Sequence, residues 1–203
     1  MDINTFFLDV GGVLLTNGWD RRARSRAAKR FELNIDEINE RHHLTYDTYE
    51  RGKLSLDEYI NRVIFFEKRK FSRDDFKDFM FRQSKALDGM LSYIQKLKNL
   101  YGLRIIAVSN EGRELNNYRI QKFKLDNIFD AFVSSSYVHF RKPDKDIFQI
   151  AIDISQVNPE NIIYIDDRPL FVEVAKSFGI HGIHHESYFS TRNHLKDLGF
   201  SID

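Results

Sequence analysis

Three apolar runs in this chain end on side chains that can do chemistry: Phe6-Phe7-Leu8 on Asp9, Ile105-Ile106-Ala107-Val108 on Ser109-Asn110, and Ile162-Ile163-Tyr164-Ile165 on Asp166-Asp167. Lys142, followed by Pro143-Asp144, falls between the second and the third. Asp9 and Asp167 are hard oxygen donors; with a backbone carbonyl and waters they suit Mg2+. Asp9 could put one oxygen on the metal and use the other to attack phosphorus, giving an acyl phosphate that water then hydrolyses. Attack of one anion on another needs cations in the site, and Mg2+ and Lys142 would supply them. Ser109 and backbone N–H groups at helix starts would hold phosphate oxygens. Gly11 and Gly12 leave room for a phosphate to approach the backbone.

Such residues act together only if the chain brings them to one edge. An apolar run bounded by glycines reads as a buried strand, and this holds for the stretch ending at Asp9. From residue 89 onward, strands expected at 103–108, 129–134, 161–165 and 180–184 alternate with helices expected at 90–100, 113–123, 142–154 and 168–178. That rhythm predicts an α/β, Rossmann-like parallel sheet with helices on both faces. The carboxyl ends of its strands share one edge, where open α/β sheets bind ligands. Between residues 20 and 89 the text is charged, with apolar residues at helical spacing. Helices are expected at 20–31, 36–50, 55–66 and from 72. Gly52 suits the position after a helix end, and Ser55-Leu56-Asp57-Glu58 has capping-box spacing. The division that follows is a core of residues 1–15 and 89–203 with a helical module, 16–88, inserted.

Composition narrows the class. Hydrophobic residues make up 42% of the chain and include 18 Phe, enough for a packed and partly aromatic interior. A net charge of +1 argues against nucleic acid or an anionic membrane as partner. The absence of cysteine excludes disulfides and thiolate metal sites and suits a reducing, cytoplasmic setting. No apolar stretch is long enough to span a bilayer, and Met1-Asp2-Ile3-Asn4 lacks the basic start of a signal segment. The expectation is a soluble monomer or homodimer.

The order of these pieces resembles the haloacid dehalogenase-like (HAD) hydrolases along the whole chain. Asp9-Val10-Gly11-Gly12-Val13 is similar to the first family motif, Ala107-Val108-Ser109-Asn110 to the second, Arg141-Lys142-Pro143-Asp144 to the third and Tyr164-Ile165-Asp166-Asp167 to the fourth. The resemblance implies that Asp9 is the nucleophile, with Ser109 and Lys142 completing the catalytic set. It implies that Asp9, the Gly11 carbonyl and Asp167 bind Mg2+, that Asp166 supports the metal shell, and that Ser109, Asn110 and Lys142 hold phosphate. Residues 16–88 look like a C1-type cap that closes over a small phosphorylated substrate. The Asp-x-Gly-Gly-Val form is similar to sugar-phosphate phosphatases and to the N-terminal phosphatase of soluble epoxide hydrolases.

The chain also departs from the family pattern. Family phosphatases usually carry a second aspartate two residues after the nucleophile, which protonates the leaving oxygen; here that residue is Gly11. Losing a general acid typically costs ~10²–10⁴-fold in rate. Phe171 stands where the fourth motif often has Asn or Asp. Two other readings therefore stay open: a catalytically weak member that binds a phosphorylated ligand or a protein partner, and a metal-independent dehalogenase. Adjacent Asp166 and Asp167 argue against the latter, because they would repel without a cation.

Around these residues, Trp19, Asp20 and Arg21 could line the mouth of the site, and Glu111 and Arg113 could contact the leaving group. His139 could stand in for the missing acid, although a strand-end histidine packed on Tyr137 and Phe140 is the simpler expectation. The basic run at 21–30 reads as a solvated helix face. The adjacent pairs His42-His43 and His184-His185 point apart and do not form a zinc site.

Overall fold

The computed structural model of the chain describes residues 2–202. In order the elements are β1 (Thr5–Leu8), α1 (Arg21–Phe31), α2 (Ile35–Glu50), α3 (Leu56–Val63), α4 (Arg73–Phe81), α5 (Met90–Tyr101), β2 (Arg104–Ser109), α6 (Arg113–Phe123), β3 (Ala131–Ser134), α7 (Ser135–Val138), α8 (Lys145–Ser155), β4 (Ile162–Asp166), α9 (Pro169–Lys176), β5 (His181–His184) and α10 (Tyr188–Asp197). The five strands form one parallel sheet in the order β3-β2-β1-β4-β5.

Successive strand residues face opposite sides, and both sides are dry. Phe6, Leu8, Ile105, Ala107, Ile163 and Ile165 pack with Met90, Ile94 and Leu97 of α5 and Leu195 of α10. Phe7, Ile106, Val108, Ile162 and Tyr164 pack with Ile147, Phe148 and Ala151 of α8 and Val172 and Ala175 of α9. This double burial explains why the strands read as continuous apolar runs. β1 lies in the centre, with Leu8 in register with Ala107 of β2 and Ile165 of β4. The next amide, Asp9 N–H, donates to the Ile165 carbonyl at 3.0 Å. Asp9, Ser109 and Asp166 are thereby brought to one edge.

Helices α1–α4 gather around a separate apolar cluster that includes Trp19, Ala23, Ala27, Ile38, Tyr49, Tyr59, Val63, Phe76 and Met80. Ser55 and Ser72 open α3 and α4 with complete capping boxes to Glu58 and Asp75. Two crossing segments join this block to the sheet. Leu87 N–H donates to the Leu14 carbonyl at 2.9 Å, Thr16 N–H to the Lys85 carbonyl at 2.8 Å, and Leu15 bridges Ala86 antiparallel. Among the described residues no helix is long and apolar enough to cross a membrane.

Several boundaries differ from the sequence expectation, each for a physical reason. α8 begins at Lys145 rather than 142, with Asp144 at its N-cap position; a residue before proline is pushed away from helical geometry, which keeps Lys142 outside. α3 stops at Val63 rather than 66, and Arg69 Nε donates to the freed Ile64 carbonyl at 2.7 Å. α7 and α10 are additions. α10 is a polar helix whose buried residues are Thr191 and Leu195, one turn apart, with half-buried Tyr188 packed on Tyr93 at its start, so it shows little apolar period. His139 is not at a strand end. It follows α7 with φ +64°, exposed, with Nδ1 2.7 Å from the Arg51 carbonyl.

One hydrogen-bond chain organises the helical block. Trp19 Nε1, a donor only, gives to the Tyr59 hydroxyl at 2.8 Å, and the hydroxyl's own proton goes to His42 Nδ1, also 2.8 Å away. Trp19 and Tyr59 are both buried, so Tyr59→Phe orphans a buried indole N–H. The expected loss is about 1–3 kcal/mol of unfolding free energy, read by urea denaturation.

Candidate active site

Asp9 is buried just beyond β1. Its Oδ1 accepts the Val10 N–H at 2.8 Å and faces Lys142 Nζ at 3.2 Å. Two contacts to the same oxygen orient the carboxylate. Burial is the largest influence on Asp9 and pushes its pKa up to about 6; Lys142 pulls it down, while Asp166 and Asp167 push it up further.

Lys142 has no exposed surface. Besides Asp9 it meets Asp166 Oδ2 at 2.6 Å, and its ammonium lies 5.2 Å from the centre of the Phe171 ring. Burial disfavours its charge, but the Asp166 and Asp9 carboxylates outweigh burial and hold its pKa above the usual lysine value. Asn110 fixes the lysine from behind. Asn110 Nδ2 donates to the Lys142 carbonyl at 2.9 Å, and Lys142 N–H donates to Asn110 Oδ1 at 2.8 Å. The Asn110 side chain, expected on phosphate, is thus committed at both ends to the Lys142 backbone.

Asp166 is fully buried. Its Oδ2 takes Lys142 and the Tyr164 hydroxyl, and its Oδ1 accepts the Arg168 N–H at 2.8 Å. Asp167 is more open. It receives Asn17 Nδ2 at 3.3 Å, and its carboxylate lies against Gly12. A Cβ on Gly12 would overlap that carboxylate, and φ there is +83°. One oxygen from each of Asp9, Asp166 and Asp167 falls within 4.8 Å of the others. Three hard-oxygen carboxylates so close fit a divalent cation. Because both Asp166 oxygens are engaged, Asp9 and Asp167 are the pair with capacity for it.

These residues floor a cavity of about 500 Å3 whose other wall comes from α1 and α2. Gly11, Ser109 and Lys142 line it from the sheet side; Trp19, Asp20 and Arg21 line it from the other. Trp19 contributes only its ring, since its N–H is held by Tyr59. Arg113 is not among the lining residues. Its Nη2 donates to the Ser136 carbonyl at 3.2 Å and its guanidinium stacks 4.2 Å from the Tyr137 ring centre, because the start of α6 faces α7.

The structure adds side chains to this cavity that were not singled out as site residues: Asn17, Arg24, His42, Tyr46, Glu50, Arg119 and Arg141. Arg119 and Glu111, both buried, form an ion pair. Arg119 also gives Nε to Ser84 Oγ at 3.0 Å and Nη2 to the Thr16 carbonyl at 2.9 Å. His42 is held neutral, with burial the main cause and its pKa pushed down to about 3. Glu50, the last residue of α2, is buried with Arg141 Nη2 2.6 Å from its Oε2. Burial raises its pKa to about 7 against the pull of Arg141 and Lys142. Polar and charged residues spread along helices and loops carried no mark distinguishing these from solvated ones.

With this geometry in place, the chain can be set beside known proteins. Residues 3–179 match the haloacid dehalogenase-like hydrolase family, and the chain belongs to it. Among curated relatives, it is 28% identical over 168 residues to flavin mononucleotide hydrolase 1 of Arabidopsis thaliana, covering 80% of this chain and 65% of that protein. It is 26% identical over 132 residues to a phosphorylated carbohydrates phosphatase of Thermotoga maritima, covering 65% of this chain and 56% of the relative. The match thus spans less than two thirds of either relative's length. A HAD-family enzyme of Bacteroides thetaiotaomicron, crystallised with magnesium and inorganic phosphate, shares the fold with a TM-score of 0.78. The two are 19% identical over 92% of this chain and 96% of that one. The protein is therefore a HAD-family hydrolase with phosphatase relatives.

Two outcomes are expected. Gly12→Ala forces a side chain into left-handed backbone and against Asp167, with an expected cost of ~1–3 kcal/mol by denaturant unfolding. Burial raises the Glu50 pKa to about 7 in the folded chain, against the ordinary 4.5. Between those values the folded state holds a proton that the unfolded state has lost, so this group's contribution falls as pH rises through the window. Glu50→Gln should therefore gain stability relative to the parent between pH 5 and 8, by up to about 3 kcal/mol, measured as paired urea midpoints.

Proposed function

We propose that the chain is an Mg2+-dependent phosphatase of small phosphorylated metabolites, acting through an aspartyl-phosphate on Asp9. In this reading residues 1–15 and 89–203 are the catalytic core and 16–88 the cap. The observation that carries it is the convergence of Asp9, Asp167 and Lys142 at one sheet edge, beneath a cavity of metabolite size.

Mg2+, held by Asp9, Asp167 and the Gly11 carbonyl, would neutralise charge on the transferring phosphoryl group. Asp9 attacks phosphorus, oriented by the Val10 N–H and by Lys142. Lys142 pairs with Asp9 in the resting site and turns its remaining donors to the phosphoryl oxygens as negative charge builds there. Asp166, bound at both oxygens, keeps Lys142 charged and in place. Ser109 and the amides that follow it hold the phosphate, and the wall from α1 and α2 excludes water while the ester is cleaved. The relatives named for flavin mononucleotide and phosphorylated carbohydrates support a small phosphate monoester as substrate.

The missing side chain at Gly11 favours a second reading, a binder of phosphorylated ligands with little turnover. A panel of phosphorylated metabolites with Mg2+ or chelator separates the two. The expected result is Mg2+-dependent phosphate release that falls to background in Asp9→Asn, with that variant's melting temperature retained. Ligand-induced thermal stabilisation with no release would instead support the binder.

A further inference from the structure

Breaking a phosphate ester of an ordinary alcohol requires a proton on the departing oxygen, and the reverse service for the water that follows. Gly11 offers no side chain for this. Among the described residues, the carboxyl, imidazole and ammonium groups that line the cavity belong to Asp9, Asp20, His42, Glu50, Glu111, Lys142 and Asp167. Asp9 and Asp167 belong to the nucleophile and metal sites. Asp20 caps α1, its Oδ1 accepting the Ala23 N–H at 2.7 Å. Glu111 is ion-paired to buried Arg119, which is tied in turn to Ser84 and the Thr16 carbonyl, so its carboxylate is engaged in holding the helical block to the sheet. His42 Nδ1 accepts from the Tyr59 hydroxyl and the ring stays neutral. Lys142 is bound between two carboxylates. Glu50 is left.

We propose that Glu50, delivered from the end of α2 on the helical wall, is the catalytic acid and base that the sheet edge lacks; this rests on the phosphatase reading above. Glu50 is 5% exposed and lines the same cavity as Asp9, Ser109 and Lys142. Its Oε2 is paired with Arg141 Nη2 at 2.6 Å, the one guanidinium that reaches it, and that arginine also serves Asp47. Its backbone is fixed, because the Ser135 hydroxyl donates to the Glu50 carbonyl at 2.7 Å and accepts the Glu111 N–H at 3.0 Å. The end of α2 is thus tied, through Ser135, to the segment that follows Ser109. The groups facing it are Arg141 and Lys142 from the segment before α8, Asp47 and Tyr46 on its own helix, and Tyr59 on α3. Arg141 is shared with Asp47, 2.8 Å away, and holds Glu50 only in part. The balance leaves Glu50 titrating at about 7, where one carboxyl can serve both half-reactions.

Asp9 forms a bond to phosphorus, the bond from phosphorus to the ester oxygen breaks, and that oxygen takes the Glu50 proton as it leaves as an alcohol. Water then forms a bond to phosphorus and gives its proton to the Glu50 carboxylate. The bond from phosphorus to Asp9 breaks, the electron pair returns to Asp9, and phosphate departs.

The test compares an alkyl phosphate with a nitrophenyl phosphate, whose phenolate leaves without a proton, in the parent, Glu50→Gln, Glu50→Asp and Asp9→Asn. Glu50→Gln should lose ~10²–10⁴-fold in kcat/KM on the alkyl ester. On the aryl ester it should give a burst of phenolate stoichiometric with enzyme and then slow turnover, because only the hydrolysis of the aspartyl-phosphate still needs the base. Glu50→Asp should recover part of both. Equal losses on the two esters without a burst, or no loss, overturn the proposal. So does a burst that appears in Glu111→Gln instead. A parent no faster than Asp9→Asn on either ester overturns the phosphatase reading itself, and this proposal with it. Independently of turnover, carbon-detected NMR of the protein without substrate, assigned by Glu50→Gln, should show the Glu50 carboxyl protonating near pH 7; a midpoint below about 5 overturns the proposal.

Discussion

A single buried ammonium makes the carboxylate-rich edge of this sheet possible. Asp9 and Asp166 end adjacent strands and are both buried, and a buried carboxylate without a compensating partner costs several kcal/mol. Lys142 Nζ lies between them, within 3.2 Å of one and 2.6 Å of the other. It arrives from a segment that is not part of the sheet, pinned by a two-bond clamp from Asn110. Every feature that positions the lysine is therefore part of the site, including the Tyr164 hydroxyl and the Arg168 amide on Asp166. One cation cannot neutralise three carboxylates. The residual negative charge beside Asp167 is what makes the cluster suited to a divalent ion.

The same electrostatic economy recurs on the other wall. Arg119 is buried and touches Glu111, the Ser84 hydroxyl and the Thr16 carbonyl. Thr16 and Ser84 lie on the two segments that join the helical block to the sheet, so one guanidinium ties α6 to both crossings. Glu50 and Arg141 make a looser version of the pair, half shared with Asp47. Sharing Arg141 with Asp47 leaves the Glu50 carboxyl less fully compensated, and burial raises its pKa to about 7.

Legibility in the sequence followed how local each signal was. The capping boxes at Ser55 and Ser72 were readable because both partners lie within one turn. The central strands were readable because burial on two faces writes an unbroken apolar run. α10 was not, since a helix resting on two buried residues has almost no period. Asn110 was legible as a site residue but not in its task, which depends on where the Lys142 backbone lies. Arg113 and Glu50 are both charged residues at helix ends; only their neighbours in space distinguish one turned toward α7 from one facing the cavity.

From sequence alone it was determined that Asp9, Ser109 and Asp166-Asp167 come together, because parallel strands carry their ends to one edge whatever the intervening chain does. It also placed Lys142 near that edge by its order between strands. Only the tertiary structure decided which atoms those residues hold, which carboxylates are committed to a cation already, and what stands across the cavity from Asp9. The reason is physical: burial, ion pairing and proton affinity depend on distances between segments that are far apart along the chain, and no local pattern of residues encodes them.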